Sequence, residues 1–277
     1  MMTKNYDLHC HSTASDGTLS PTELVLRAAE KGVSVLALTD HDTVAGIAEA
    51  RAQAAKNGIE LISGVEISTL WQGRSIHIVG LDFDIEHPAM QQLLANQAKL
   101  RDQRARAIGE KLAKIGLENA YEQAKQLAQG GEVTRAHYAR YLLQMEKVSN
   151  IQQAFKKYLG SGKLAYVKAE WVAIPEAIQV IHAAGGQAVL AHPLRYNMTN
   201  KWIRRLAEEF AAWGGDAMEV AGSGQAATQR QLLAFWAKTF GLKGSVGSDF
   251  HFPCGWVELG RGLNMPDDVE FVLAEKA

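Results

Sequence analysis

Residues 5–42 read NYDLHCHSTASDGTLSPTELVLRAAEKGVSVLALTDHD. An apolar run ends in His9 and His11, the next loop carries Asp16, and a helix signal follows. Ser20 stands as N-cap, Pro21 at the first helical position, and Glu23 completes a capping box. Leu24, Ala28 and Ala29 form an apolar stripe that Gly32 stops. A second apolar run over 33–38 then closes on Asp40 and His41. This is a strand–helix–strand unit whose metal-type ligands gather where its strands end.

The pattern recurs along the chain. A helix near 43–56, stopped by Gly58, leads to a strand over 59–65 that closes on Glu66. His77 lies inside a run over 75–83. After a helix from Pro175 stopped by Gly185, the strand over 187–191 closes on His192. A helix near 202–213 and a strand over 217–220 bearing Glu219 come next. A helix near 226–240 and a strand over 244–246 then lead to Asp249 and His251. Strands alternating with helices predict a parallel sheet, and seven strands with right-handed crossovers predict an α/β barrel. In such a barrel function collects at the C-terminal strand ends, where every ligand but His77 falls. From 88 to 160 the alternation stops and the period is helical. We expect a barrel built from 1–87 and 161–277, with 88–160 as a helical insertion capping the site.

Of the 277 residues 47% are hydrophobic, which with no low-complexity tract indicates a globular chain. No apolar run reaches the ~20 residues of a membrane span. The N-terminus lacks a signal-peptide pattern, and the two cysteines, Cys10 and Cys254, are too few for a disulfide framework. A cytoplasmic protein with reduced thiols is expected. The net charge of −1 hides an asymmetry, because 99–168 holds 14 Lys/Arg against 6 Asp/Glu. That stretch carries +8 and the remainder −9, which suits an anionic substrate held between them.

A strand's period of two puts His9 and His11 on one face, and Asp249 and His251 share a face in the same way. Asp40, His41 and Asp42 at one strand end are costly unless solvated or ligated, and Glu66 is placed to bridge two cations. Imidazole and carboxylate together suit Mn, Zn or Fe with open positions, so a multi-metal hydrolase is expected. Glu219 is either a partner that orients a ligand or a buried structural carboxylate. His182 reads as structural and His87 as a surface residue. Gly222-Ser223-Gly224 is no nucleotide-binding loop, and Ser223 is placed to face the site.

This set of motifs, HCH, Asp16, TDHD, the GVE containing Glu66, His77, AHP and SDFH, resembles the PHP (polymerase and histidinol phosphatase) family. The motifs run in the family's order from residue 9 to 251 with no position substituted. The resemblance implies a distorted (β/α)7 barrel similar to the amidohydrolases, and three divalent ions, manganese first, with zinc or iron as alternatives. His9, His11, Glu66 and Asp249 would hold the first ion. Glu66 would bridge to a second completed by His77 and His192, and Asp16, His41 and His251 would hold a third. Asp16, His41, Glu66, His192, Asp249 and His251 would thus carry the catalysis. Asp40 would orient a ligand imidazole from behind.

The insertion resembles that of small stand-alone members, with Arg135 and His137 as substrate ligands and Lys163 and Lys168 as further phosphate candidates. Those members imply removal of the 3′-phosphate from 3′,5′-bisphosphonucleotides and a related 5′-to-3′ exonuclease activity on short oligonucleotides. Water would attack phosphorus in line while the ions neutralise the phosphoryl oxygens. A histidinol-phosphatase-like small-molecule phosphatase and a non-catalytic binding module remain alternatives. No membrane and no protein partner are expected.

Overall fold

The computed structural model describes residues 4–274. Its elements in order are β1 (Tyr6–Cys10), α1 (Pro21–Glu30), β2 (Val35–Leu38), α2 (Ile47–Asn57), β3 (Glu60–Trp71) and β4 (Arg74–Leu81). Next come α3 (Pro88–Ala113), α4 (Ala120–Leu127), α5 (Arg135–Gln144), α6 (Ile151–Ala154), a π-helical turn (Phe155–Leu159) and β5 (Val172–Ala173). The chain closes with α7 (Ile174–Ala183), β6 (Gln187–Leu190), α8 (Asn200–Ala212), β7 (Ala217–Gly222), α9 (Ala227–Thr239) and β8 (Lys243–Gly247). The capping box of α1 forms as its sequence predicts. The Glu23 amide donates to Ser20 Oγ at 3.2 Å, and the Ser20 amide to Glu23 Oε2 at 2.8 Å.

The sheet order is β1-β2-β3-β4-β6-β7-β8, with β5 paired to β3. Beyond the strand ends, the His11 amide donates to the Phe250 carbonyl and the Asp249 amide to the His9 carbonyl, at 2.9 and 2.8 Å. These bonds bring the first strand to the last segment and nearly close the barrel. Apolar residues from six strands, among them Leu8, Ala37, Ile62, Val79, Val189 and Ala217, touch one another and so fill its interior.

One expectation needs correction: the sheet is not wholly parallel. β4 runs antiparallel to both β3 and β6. The strand expected to end at Glu66 continues to Trp71, leaving only Gln72 and Gly73 before β4. Both sit at positive φ, 50° and 74°, which is the tight hairpin geometry. A two-residue connection cannot make a parallel crossover. The reversal also accounts for His77. Because β4 starts at the end where β3 finishes, His77 sits opposite Ser68, near the mouth of the barrel.

The stretch after β4 builds a second core. Ala105, Ile108, Leu112, Tyr138, Leu142 and Leu159 pack together there, apart from the barrel. α3 belongs to both bodies, since its Met90, Leu93 and Leu94 join the barrel cluster. Its middle is pinned at Arg101, whose guanidinium pairs with buried Asp42 (Nε–Oδ2 2.6 Å) and donates to Ser68 Oγ at 2.7 Å. No helix among the described residues is long and apolar enough to cross a membrane.

Candidate metal centre and adjoining clefts

The strand ends bring all nine expected ligands to one place. Nε2 of His9 and Nε2 of His11 lie 3.1 Å apart. His9 Nε2 is 3.4 Å from Glu66 Oε1 and 3.5 Å from Asp249 Oδ1, while His11 Nε2 is 3.3 Å from Glu66 Oε2 and 3.2 Å from Asp249 Oδ1. A tetrahedral ion with bonds of about 2.0–2.2 Å requires ligand-to-ligand edges of about 3.3–3.6 Å. The observed edges scatter about that value.

Glu66 is the hub. Its Oε1 meets His77 Nδ1 at 2.8 Å and His192 Nε2 at 2.9 Å. Its Oε2 lies 2.8 Å from His41 Nδ1. The far nitrogen of His41 is 3.8 Å from Asp16 Oδ2, and His251 Nε2 is 3.3 Å from Asp16 Oδ1. His41 therefore spans two groups, one with Asp16, His11 and His251 and another with Glu66 and His77.

The donor set fits divalent cations on its own terms. Six buried side-chain polar atoms among the described residues make no well-directed hydrogen bond, and four belong to this cluster: Asp16 Oδ1, His41 Nδ1 and Glu66 Oε2, which face opposite partners only at ion-pair distance, and His192 Nδ1. Leaving such groups unmet costs roughly 1–3 kcal/mol each, so their concentration at one point marks a ligand site. Burial pushes Glu66 up, but the imidazoles around it, His41 foremost, outweigh that and hold it well below the usual carboxylate range. Asp249 is likewise held low against burial, chiefly by His251. Burial and the neighbouring His251 bring His11 down to about 3, keeping its lone pairs available. His251 goes the other way. Burial lowers it, but Asp16 and Asp249 raise it to about 9.

Behind the ligands stands a supporting layer. Glu219 resolves to an orienting partner, with Oε1 2.6 Å from His9 Nδ1 and Oε2 accepting the His192 amide at 2.6 Å. Asp40 departs from expectation, because no imidazole meets it. It accepts from the Ser12 amide and from the hydroxyls of Ser12 and Ser15, at 2.8, 2.6 and 2.6 Å, and so shapes the turn that carries Asp16. His182 pairs with Asp216 at 2.7 Å, and His87 caps α3.

Two clefts open beside the cluster. One, of about 470 Å³, joins Asp16, His41 and His77 to Arg101, Arg104 and Arg135, with Phe155 and Trp171 as aromatic walls. Burial, and then the other two arginines, lower the Arg104 guanidinium to about 10. Among the described residues only Arg101 of the three has a carboxylate partner. His137 sits behind the cleft. Its Nδ1 accepts the Thr134 amide at 3.0 Å, and Thr134 Oγ1 donates to Asp16 Oδ2 at 3.1 Å. Lys163 and Lys168 are exposed and line neither cleft.

The second cleft, of about 590 Å³, lies over β6, β7 and β8 and includes His192, Arg195, Ser223 and Asp249. Arg195 donates to Asp249 Oδ2. Sequence reasoning missed Arg101, Arg104 and Arg195 as individuals. Arg101 and Arg104 were visible only as part of a basic stretch, although their spacing of three puts them on one helix face. Arg195 carried no signal beyond lying three residues past a strand-end histidine.

The profile described as PHP domain matches residues 7–211. A 5′-3′ exoribonuclease of Haemophilus influenzae is 68% identical over 268 residues, 97% of this chain and 97% of its own. A 3′,5′-nucleoside bisphosphate phosphatase of Chromobacterium violaceum is 41% identical over 266 residues, 96% of this chain and 92% of its own. The solved structure of an amidohydrolase from Chromobacterium violaceum superposes with a TM-score of 0.92 at 39% identity, covering 98% of this chain and 95% of that one.

Proposed function

This chain belongs to the PHP domain family, and from that premise we propose that it is a metal-dependent phosphoesterase acting at the 3′-O–P bond beside a terminal 5′-phosphate. Its substrates are 3′,5′-bisphosphonucleotides, freed of the 3′-phosphate, and short 5′-phosphorylated oligonucleotides, shortened from that end. The two relatives named above support these as one chemistry. One observation carries the reading. The cluster of imidazoles and carboxylates opens, through Asp16, His41 and His77, onto a cleft whose Arg104 and Arg135 have no carboxylate partner among the described residues.

His9, His11, Glu66 and Asp249 would hold one divalent ion, Glu66, His77 and His192 a second, and Asp16, His41 and His251 a third, manganese being the first candidate. Such ions supply Lewis-acid neutralisation of phosphoryl charge and an activated water. The protein's own groups then do the positioning. Arg104 and Arg135 grip the terminal phosphate, and Arg is suited to this by its planar fork of donors. The insertion thereby acts as a cap that fixes the far end of the substrate, placing the 3′-phosphate at the cluster. Glu219 fixes the tautomer and direction of His9. His137 serves the cap from behind, holding Thr134 against Asp16.

The test is phosphate release from a 3′,5′-bisphosphonucleotide, product release from a 5′-phosphorylated oligonucleotide, and phosphate release from histidinol phosphate, each with and without added Mn. Turnover of the first two, abolished by chelation, is expected. Turnover of histidinol phosphate alone would transfer the protein to small-molecule phosphatases, and turnover of none would make it a binding module.

A further inference from the structure

The second cleft has no task in the hydrolysis of a bisphosphonucleotide. That substrate places one phosphate at the ligand cluster and the other among the arginines, so its nucleoside lies on the arginine side, where Phe155 and Trp171 stand. The second cleft touches the cluster at other ligands, His192 and Asp249, over the opposite half of the barrel mouth. The arginine cleft meets the cluster at Asp16, His41 and His77.

We propose that this second cleft, through Arg195, Ser223, Gln225 and Gln229, holds the nucleotide on the 3′ side of the scissile phosphate, and so serves oligonucleotides alone. The proposal rests on the phosphoesterase reading above. In that reaction water adds to phosphorus and the bond to the 3′-oxygen breaks. The terminal nucleotide departs as a 3′-alcohol that takes up a proton. The phosphate stays on the 5′-oxygen of the next nucleotide. A bisphosphonucleotide presents only a bare oxygen at that point, whereas an oligonucleotide presents a sugar and base that need room.

The lining chemistry differs between the two clefts in the sense this requires. The arginine cleft is cationic and suits a dianionic terminal phosphate. Here the sole cation is Arg195, already engaged with Asp249. Its two carboxylates are also engaged, Asp249 with Arg195 and Glu219 with His9 and the His192 amide, and the groups beyond them are uncharged, with Ser223, Gln225 and Gln229 offering hydrogen bonds. Gln225 Oε1 accepts the Gly222 amide at 2.8 Å, and Gln229 Oε1 accepts the Ala226 amide at 3.0 Å. Both glutamines are thus tied back through their oxygens. Their Nε2 donors have no protein partner among the described residues. Such donors suit sugar hydroxyls, base carbonyls and a singly charged phosphodiester. None of them reads a particular base, so the cleft accepts any nucleotide.

The test compares metal-loaded wild type with the double variant Gln225→Glu/Gln229→Glu on a 3′,5′-bisphosphonucleotide and on a 5′-phosphorylated trinucleotide. Glutamate keeps the size and the backbone-binding oxygen but replaces each donor with a negative charge. We expect kcat/KM on the trinucleotide to fall by about tenfold or more, and on the bisphosphonucleotide by less than about threefold. Ser223→Trp, which fills the cleft from its loop, should show the same selectivity should the double variant not fold. An equal fall on both substrates would assign the cleft to the terminal nucleotide and overturn the proposal. No fall on either would overturn it too, leaving the phosphoesterase reading intact. Wild type inactive on both substrates would remove that parent reading and the subsite with it.

Discussion

His251 shows at the scale of one residue how the site is poised. Its environment raises it from 6.5 to about 9, because Asp16 and Asp249 outweigh burial. In the metal-free protein this protonated imidazole contributes stability in full below about pH 6.5 and loses it as the pH climbs through about 9. A metal ion needs the neutral ring, so the proton must leave when the ion enters. We predict that metal binding at pH 7–8 releases protons and that apparent affinity rises with pH up to about 9. Calorimetry in two buffers of different ionisation enthalpy measures this directly. A proton count of zero with pH-independent affinity would exclude His251 as a ligand. The nine residues that converge here were legible in sequence as candidate ligands because buried strands tolerate imidazoles and carboxylates only where something meets them. Arg104 and Arg195 were not, because an arginine on a helix face or in a loop costs nothing in water and so leaves no anomaly to notice.

Among the elements, the β3–β4 hairpin and α3 decide where the site's parts stand. The hairpin escaped sequence reading because Ile67 to Trp71 continue the strand past a buried carboxylate, where a ligand seemed to close it. Its turn, Gln72-Gly73, is a weaker signal than Asn-Gly. α3 was legible as helix, but its fixed attachment was not. That depends on Asp42 and Arg101, 59 residues apart and both buried. Removing one partner of a buried pair strands the other's charge, at a cost of about 3–5 kcal/mol. Asp42→Ala should therefore lower the denaturation midpoint and speed amide exchange in α3 ahead of the barrel strands. Asp42→Asn, which tolerates the residue's φ of 52°, should lose less. Exchange unchanged in α3 would show that the pair does not hold the helix.

At the scale of the whole molecule, the proposed reaction takes its reacting centre from the barrel and its reach from the second core. Its α3 and α5 bring Arg104 and Arg135 over the cluster, which gives a task to part of the excess positive charge in residues 99–168. The alternation of strands and helices made the barrel foreseeable, whereas the two clefts arise only when distant loops meet. What most needs testing is the cap's grip on a phosphate remote from the bond that breaks. Its most direct measurement is kcat/KM of the Mn-loaded protein for a 3′,5′-bisphosphonucleotide against the matching 3′-monophosphate. One charge-assisted phosphate contact contributes about 1.5–3 kcal/mol, so a preference of about 10- to 150-fold is predicted, shrinking in Arg135→Ala at unchanged metal content. Equal values for the two substrates would contradict it.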